Sequence, residues 1–563
     1  MALFLSYHWQ CVTLWIRYYN NMSMVPPTSL NLSDPQREPQ VDWAIFIPSV
    51  TVVLLCAIPL IIFPDEAARL LIDSRKAIMS NFLWLYLSVG LAAVVFCLWL
   101  AFGPYAHVKL GEADEPPEYS DVHWVAMMFT AAIGAGVIAW GFAEPIYYLQ
   151  TPPMGIEVGS AKSFEWAHMY PLFHWGVIGW AIYAVPAVPI AYMLYVKRYT
   201  TLRISSACDG ALPKKGRVPV KTLIDIFIVL GIVGGVATSL GLGVPLLSAM
   251  LATLFDVPDS MFIKMLVLVF WTALFGASVY RGLKSGIKVL ADINIALAII
   301  AIIFVLIAGP GIFIMDLTVN SIGLMFSHFV SAATWTDPIN NGSFPEDWTG
   351  FYWAWWLAYT GMIGLFFARI SRGRTIRQLV LGVISWGCLG TWLFMAVMGG
   401  YSLYLETTGT LEVKEILATQ GMSFVNALVI QSMPLGKFTL AMFTLLSIIF
   451  YATSIDSGAY VLASICAKNL PSDAEPKRWN RLAWAGLLAV VTAGILQSGT
   501  LDTVMSMTVL SSAPLIPIMI LLCVSLVRWL NEDFGEQVRH KEMVLRPANP
   551  EAQAILKHSG AQS

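Results

Sequence analysis

The sequence predicts an all-α polytopic membrane protein with about 12 transmembrane helices, and three observations carry that prediction. Of the 563 residues, 57% are hydrophobic and only 12% charged, about half the charged share of a soluble domain, roughly 25%. Mean hydropathy is +0.70. The apolar residues fall in repeated runs of about 20, the length that crosses a hydrocarbon core. A single soluble core cannot absorb so much apolar chain, so most of the surface must face lipid. The net charge of −2 gives no general attraction to nucleic acid, and none is expected as a partner. Cysteines 11, 56, 97, 208, 388, 466 and 523 have no metal-like spacing and read as small buried hydrophobes.

In chain order, residues 1–42 form an N-terminal cytoplasmic leader. Residues 1–21 are apolar and aromatic, but no basic n-region or small-residue cleavage site marks a signal peptide. Met22 and Met24 are alternative starts, because 23–40 is polar and Pro-rich. Candidate spans centre on 43–63, 82–103, 122–148, 171–196, 222–254, 262–280, 288–314, 350–370, 377–404, 436–467, 480–497 and 503–530. Residues 312–334 look too polar to span and are expected to lie at the surface as an amphipathic helix. A transporter-like region of 43–530 would then precede a C-terminal cytoplasmic tail, 531–563, expected to be a short soluble helix.

Lys and Arg concentrate in alternate loops: 197–221, 281–288, 369–377 and 468–481. The positive-inside rule places these loops in the cytoplasm and, with an even number of spans, both termini too. Two loops disobey. Arg69, Arg75 and Lys76 fall outside, and the acidic stretch Glu112 to Asp121 falls inside.

Four segments hold chemistry. Around Thr130, Ala131, Ala132, Gly134, Ala135 and Gly136 the span carries little side chain. Such a stretch either packs closely on a neighbour or unwinds, offering backbone groups to substrate and ions. Trp175, Trp180 and Tyr183 can share one broad helical face, where π-clouds attract a cation; an interfacial aromatic belt is the alternative. From Asp347 to Tyr359, 7 of 13 residues are aromatic, with Trp355 and Tyr359 one turn apart. Thr453 and Ser454 are adjacent hydroxyls in an apolar span, able to bond their own helix or to help ligate a hard cation. Asp456 and Glu144 read first as structural carboxylates, and His168 and His174 as structural histidines. No Ser–His–Asp order, metal cluster or phosphate loop supports an enzyme.

Together these segments resemble the betaine/carnitine/choline transporter family. The motif Phe-Tyr-Trp-Ala-Trp-Trp at 351–356, followed by Ala-Arg-Ile-Ser-Arg-Gly-Arg-Thr-Ile-Arg at 368–377, is the most specific part. Residues 110–119, Glu144-Pro145 and 239–243 are also similar to that family. The resemblance implies a leucine-transporter-like fold, with inverted five-helix repeats at helices 3–7 and 8–12. It also implies a homotrimer in a cell (inner) membrane and secondary active uptake of a quaternary ammonium or sulfonium solute such as glycine betaine, carnitine, choline or dimethylsulfoniopropionate. Its aromatic cage falls on Trp175, Trp180, Tyr183 and Trp356, with Trp355 at a neighbouring gate position. Tyr359 stands where glycine-betaine carriers usually have Trp and is similar to the carnitine/butyrobetaine branch. The backbone near Ala131, Ala132 and Ile133 would meet a substrate carboxylate. Phe450, Thr453 and Ser454 match a sodium site, with Thr130 and Ile133 giving backbone oxygens. Ile232 and Val236 replace the threonines of a second sodium site, so one sodium at most is expected. Symport with sodium is the reading this favours, with proton coupling or substrate:product exchange as the alternative; no bound cofactor is implied.

Overall fold

The computed structural model describes residues 40–545 except 133, 282, 283, 341, 469 and 471–473; at 132, 135, 275, 278–281, 284–292, 453, 454 and 539–545 it describes the backbone alone. Strand β1 (Gln40–Val41) leads into helices α1 (Trp43–Ile62) and α2 (Pro64–Phe102). A broken segment follows: α3 (Asp121–Ala132), α4 (Ala135–Gly141) and α5 (Glu144–Gln150). Next come α6 (Ala161–His174), α7 (Val177–Tyr195), α8 (Arg217–Phe255), α9 (Met261–Arg281), α10 (Lys284–Ala308) and α11 (Gly311–Thr334). The second half runs through α12 (Phe351–Ile370), α13 (Ile376–Thr408), α14 (Val413–Gln420), α15 (Met422–Gln431) and α16 (Gly436–Ile465). Strand β2 (Ala467–Lys468) then precedes α17 (Arg478–Ser498), α18 (Leu501–Ser512) and α19 (Leu515–Leu545).

Helix starts follow local chemistry. Asp42 Oδ1 accepts from the Ala44 N–H at 3.3 Å and caps α1. Helix α13 opens with a reciprocal capping box between Thr375 and Gln378. Pro64 begins α2, with Asp65 and Glu66 in its first turn. Charge there does not stop the helix. It therefore starts well before the expected span at 82, because hydropathy reads lipid contact and not helicity.

All 12 expected spans fall on helices. Among the described residues, 9 helices are long and apolar enough to cross a membrane, or up to 10 with a bent pair counted as one. Helix α12 is outside that set because Trp and Tyr lower its hydropathy. Helix α11 is less polar than expected, passing the length and composition of a span. Its hydroxyls hide against its own backbone, Thr318 donating to Ile314 O (2.6 Å), Ser327 to Gly323 O (2.8 Å) and Thr334 to Val330 O (2.8 Å). The described part of the C-terminal tail is helical, as α19 runs without a break from the last span to Leu545.

Ion pairs sort the helix ends onto two opposite faces. On one, β1 pairs with β2, Arg203 with Asp42, and Lys197 with Asp533 at 2.8 Å. The acidic loop that violated the charge rule lies on this face and is neutralised there. Glu112 meets Arg198, Glu115 meets Arg372 at 2.6 Å, and Asp121 meets Arg374. On the opposite face the buried Arg75 lies 2.6 Å from Asp502 and 3.6 Å from Asp347. Of these exceptions, Arg75, Glu112, Glu115 and Asp121 are thus committed to partners.

Candidate functional site

The small-residue segment is a helix break. Gly134 is extended (φ −115°, ψ −178°) ahead of α4, and the axes on the two sides of the break, Asp121–Ala131 and Gly136–Gln150, diverge by 55°. Asn426 of α15 donates to Ala139 O at 2.9 Å, bracing α4 from a helix pair, α14 and α15, that hydropathy alone does not pick out. Beside the break is a cavity of about 160 Å³. It is bordered by Ala131, Gly134, Trp175, Trp180, Tyr183, Trp355, Trp356 and Tyr359, together with residues not singled out in the sequence: Ser239, Met362, Ile363 and Thr391.

A second break corrects the helix expected over 171–196. Helix α6 stops at His174, and Gly176 adopts φ −107°, ψ −146° before α7 begins. The carbonyls released at a helix end need donors. The site's own side chains supply them. Trp392 Nε1 donates to Leu172 O (2.7 Å), Trp356 Nε1 to His174 O (3.1 Å) and Thr391 Oγ1 to Trp175 O (2.6 Å). Trp175 therefore comes to the cavity from the break itself, not from a helical face shared with Trp180.

The rings are held by specific partners. Trp175 Nε1 donates to Glu144 Oε2 at 2.9 Å, and the Tyr148 hydroxyl donates to Glu144 Oε1 at 2.7 Å. Glu144 is fully buried, so its structural role is to orient an indole. Trp180 Nε1 donates to Thr391 Oγ1 at 3.3 Å. Trp356 lies at the centre, its ring centroid 4.6 Å from Tyr183, 5.2 Å from Trp180 and 5.9 Å from Trp175. Trp355 closes on Trp175 at 5.7 Å.

Glycines provide the seats. A Cβ at Gly179 would fall 2.3 Å from Trp356 Cε2, and one at Gly387 would fall 2.3 Å from Trp180 Cδ2. A Cβ at Gly136 would come within 2.9 Å of Trp355 and 3.0 Å of Trp175. Only a bare backbone lets these indoles pack there.

The expected sodium set is spread over two elements. Thr130 Oγ1 donates to Met127 O at 3.2 Å within α3, and Phe450 is buried on α16. Ile133 lies outside the described residues, as do the side chains of Ala132, Thr453 and Ser454. Ile232 and Val236 are buried and apolar. Asp456 pairs with Arg481 at 3.0 Å. His168 bridges Ser321 (2.8 Å) and Ala396 O (3.0 Å), tying α11 to the bundle.

A bundle of apolar helices broken beside a ring-lined cavity has the architecture of a polytopic carrier. The model of the betaine/carnitine/choline family transporters matches residues 44–535, and the chain belongs to that family. It is a secondary transporter and not an enzyme. Similar proteins include a glycine betaine transporter, OpuD, of Bacillus subtilis, 34% identical over 87% of this chain and 94% of its own. A carnitine transporter of Acinetobacter baumannii is 30% identical over 88% and 90%. A transporter of Escherichia coli, YeaV, is 31% identical over 82% and 95%.

Proposed function

We propose that the chain takes up a betaine-type quaternary ammonium or sulfonium solute by sodium-coupled symport. The observation that carries the reading is the cavity lining. Four indoles and two phenols border about 160 Å³, and no Lys, Arg, Asp or Glu does so among the described residues. An engineered apolar cavity of about 150 Å³ takes one benzene, so a compact solute fits here. An onium head has no N–H or S–H to donate. Aromatic faces hold it at about 0.5–2 kcal/mol each, enough for capture and weak enough for release. An unmethylated ammonium head would bring N–H donors in need of acceptors such as a carboxylate, and no Asp or Glu borders the cavity among the described residues.

For the coupling ion, the proposed site combines backbone oxygens of Thr130 and Ile133 with Phe450, Thr453 and Ser454. The apolar Ile232 and Val236 support one sodium, not two. The face that carries β1, β2 and the basic loops is assigned to the cytoplasm, with both termini there, in an inner membrane. A homotrimer using α11, the inverted-repeat plan and a transporter domain over 43–530 belong to the same proposal.

Competition uptake with glycine betaine, choline, carnitine and dimethylsulfoniopropionate, with and without a sodium gradient, tests it. Saturable, sodium-dependent uptake inhibited by at least one of these is expected. Uptake unchanged by sodium removal would reassign the coupling to protons or exchange. Inhibition by none of the four would remove the onium reading.

A further inference from the structure

Orienting an indole does not need a charge, yet the group that orients Trp175 is an acid. Both oxygens of Glu144 accept hydrogen bonds, Oε2 from Trp175 Nε1 at 2.9 Å and Oε1 from the Tyr148 hydroxyl at 2.7 Å. An acceptor at each oxygen is the pattern of an ionised carboxylate. Glu144 is fully buried. The nearby His174 ring is engaged by two hydroxyls. Its Nδ1 lies 2.9 Å from the Tyr148 oxygen and its Nε2 3.1 Å from Thr349 Oγ1. With the Tyr148 proton given to Glu144, Nδ1 donates to that oxygen, and Nε2 of a neutral ring accepts from Thr349. Nδ1 is 3.4 Å from Glu144 Oε1, longer than a charge-assisted pair. No Lys or Arg pairs with Glu144 among the described residues. A buried carboxylate without a fixed cation is costly. Here it stands one indole behind the cavity wall, since Trp175 borders the cavity.

We propose that Glu144 is a specificity-determining residue, the buried counter-charge to the solute: acting across the Trp175 indole, its carboxylate favours a permanently cationic head over a neutral group of the same shape. The inference rests on the proposed function and deepens it. Two effects act in the same direction. The carboxylate draws on the indole N–H and polarises the ring whose face meets the cation. Its own charge also reaches the head, at roughly 7 Å when the head sits about 5 Å above the ring, and the protein interior screens it less than water would. The solute cation in turn offsets the buried charge, so loading relieves a cost that the empty site carries.

The test uses the purified full-length protein in nanodiscs and probes paired so that only nitrogen against carbon in the head differs. Choline is paired with neohexyl alcohol, and glycine betaine with the anion of tert-butylacetic acid. The Kd ratio within a pair reads what the positive charge contributes, free of shape and of the second functional group. In the wild type the onium member of at least one pair should bind more tightly. E144Q keeps the size and a carbonyl acceptor but loses the charge. It should cut that preference about tenfold or more, the scale of one elementary charge at roughly 7 Å and an effective dielectric of about 20. E144D keeps the charge on a shorter arm. It should weaken both members together while holding most of the preference, and it decides the matter if E144Q does not fold. An unchanged ratio in E144Q, even with both members weakened, would show a positioning role alone and overturn the proposal. So would a collapse of the ratio in E144D. A wild type that binds no onium, or binds each no better than its carbon twin, would strike at the onium reading itself and take this proposal with it.

Discussion

Gly179→Ala tests whether the seat of Trp356, and not only its presence, determines capture. The added methyl would stand 2.3, 2.6 and 2.7 Å from three atoms of the indole. Carbon atoms in contact sit about 3.5–4.0 Å apart, so the ring must retreat by roughly 1 Å or more. It cannot do so freely, because Trp356 Nε1 is bonded to His174 O at 3.1 Å and the ring packs on Tyr183 and Trp180. Overpacking of this kind costs about 1–3 kcal/mol of stability. Displacing one cation-binding face costs about 0.5–2 kcal/mol of affinity, or about 2- to 30-fold in apparent KM at 1.4 kcal/mol per tenfold. The assay is radiolabelled solute uptake over a concentration series, with membrane abundance measured in parallel. Gly486→Ala is the control, since its Cβ would meet nothing within 4 Å. An unchanged KM in G179A at normal abundance would refute the idea that this contact positions the ring.

Three further outcomes follow from the same geometry. Trp356→Leu removes the central ring and should raise the uptake KM at least tenfold, with the protein still in the membrane; unaltered kinetics would remove the cage assignment. Thr453→Ala with Ser454→Ala should raise the sodium concentration for half-maximal uptake, and a sodium dependence identical to the parent would exclude them as ligands. Arg75→Ala removes a buried guanidinium from its pair with the exposed Asp502, an interaction worth about 1 kcal/mol or less because one partner is solvated, and should lower the melting temperature in detergent slightly. A melting curve that does not move would show the pair to be energetically neutral.

Much of the site was legible because its chemistry is dense in local sequence. The aromatic run at 351–359 and the Trp175, Trp180 and Tyr183 cluster announce themselves within a few turns. The small residues at 131–136 fitted packing slightly better than unwinding, and only the 55° bend decides between them. Ser239 and Thr391 were not legible as lining residues. A lone hydroxyl in an apolar helix most often bonds its own backbone, and their partners lie 120 and 216 positions away. Glu144 showed the same limit: its carboxylate was visible as structural, but its partner Trp175 was not.

Sequence alone determined that this is a helical membrane protein, which segments are apolar helices and where aromatic residues concentrate, because hydropathy and aromatic content are properties of short segments. Tertiary structure decided where helices break, which glycines seat which indoles, and how the exceptional charges are neutralised. Those outcomes depend on contacts between helices distant in the chain, and no local pattern encodes the partner.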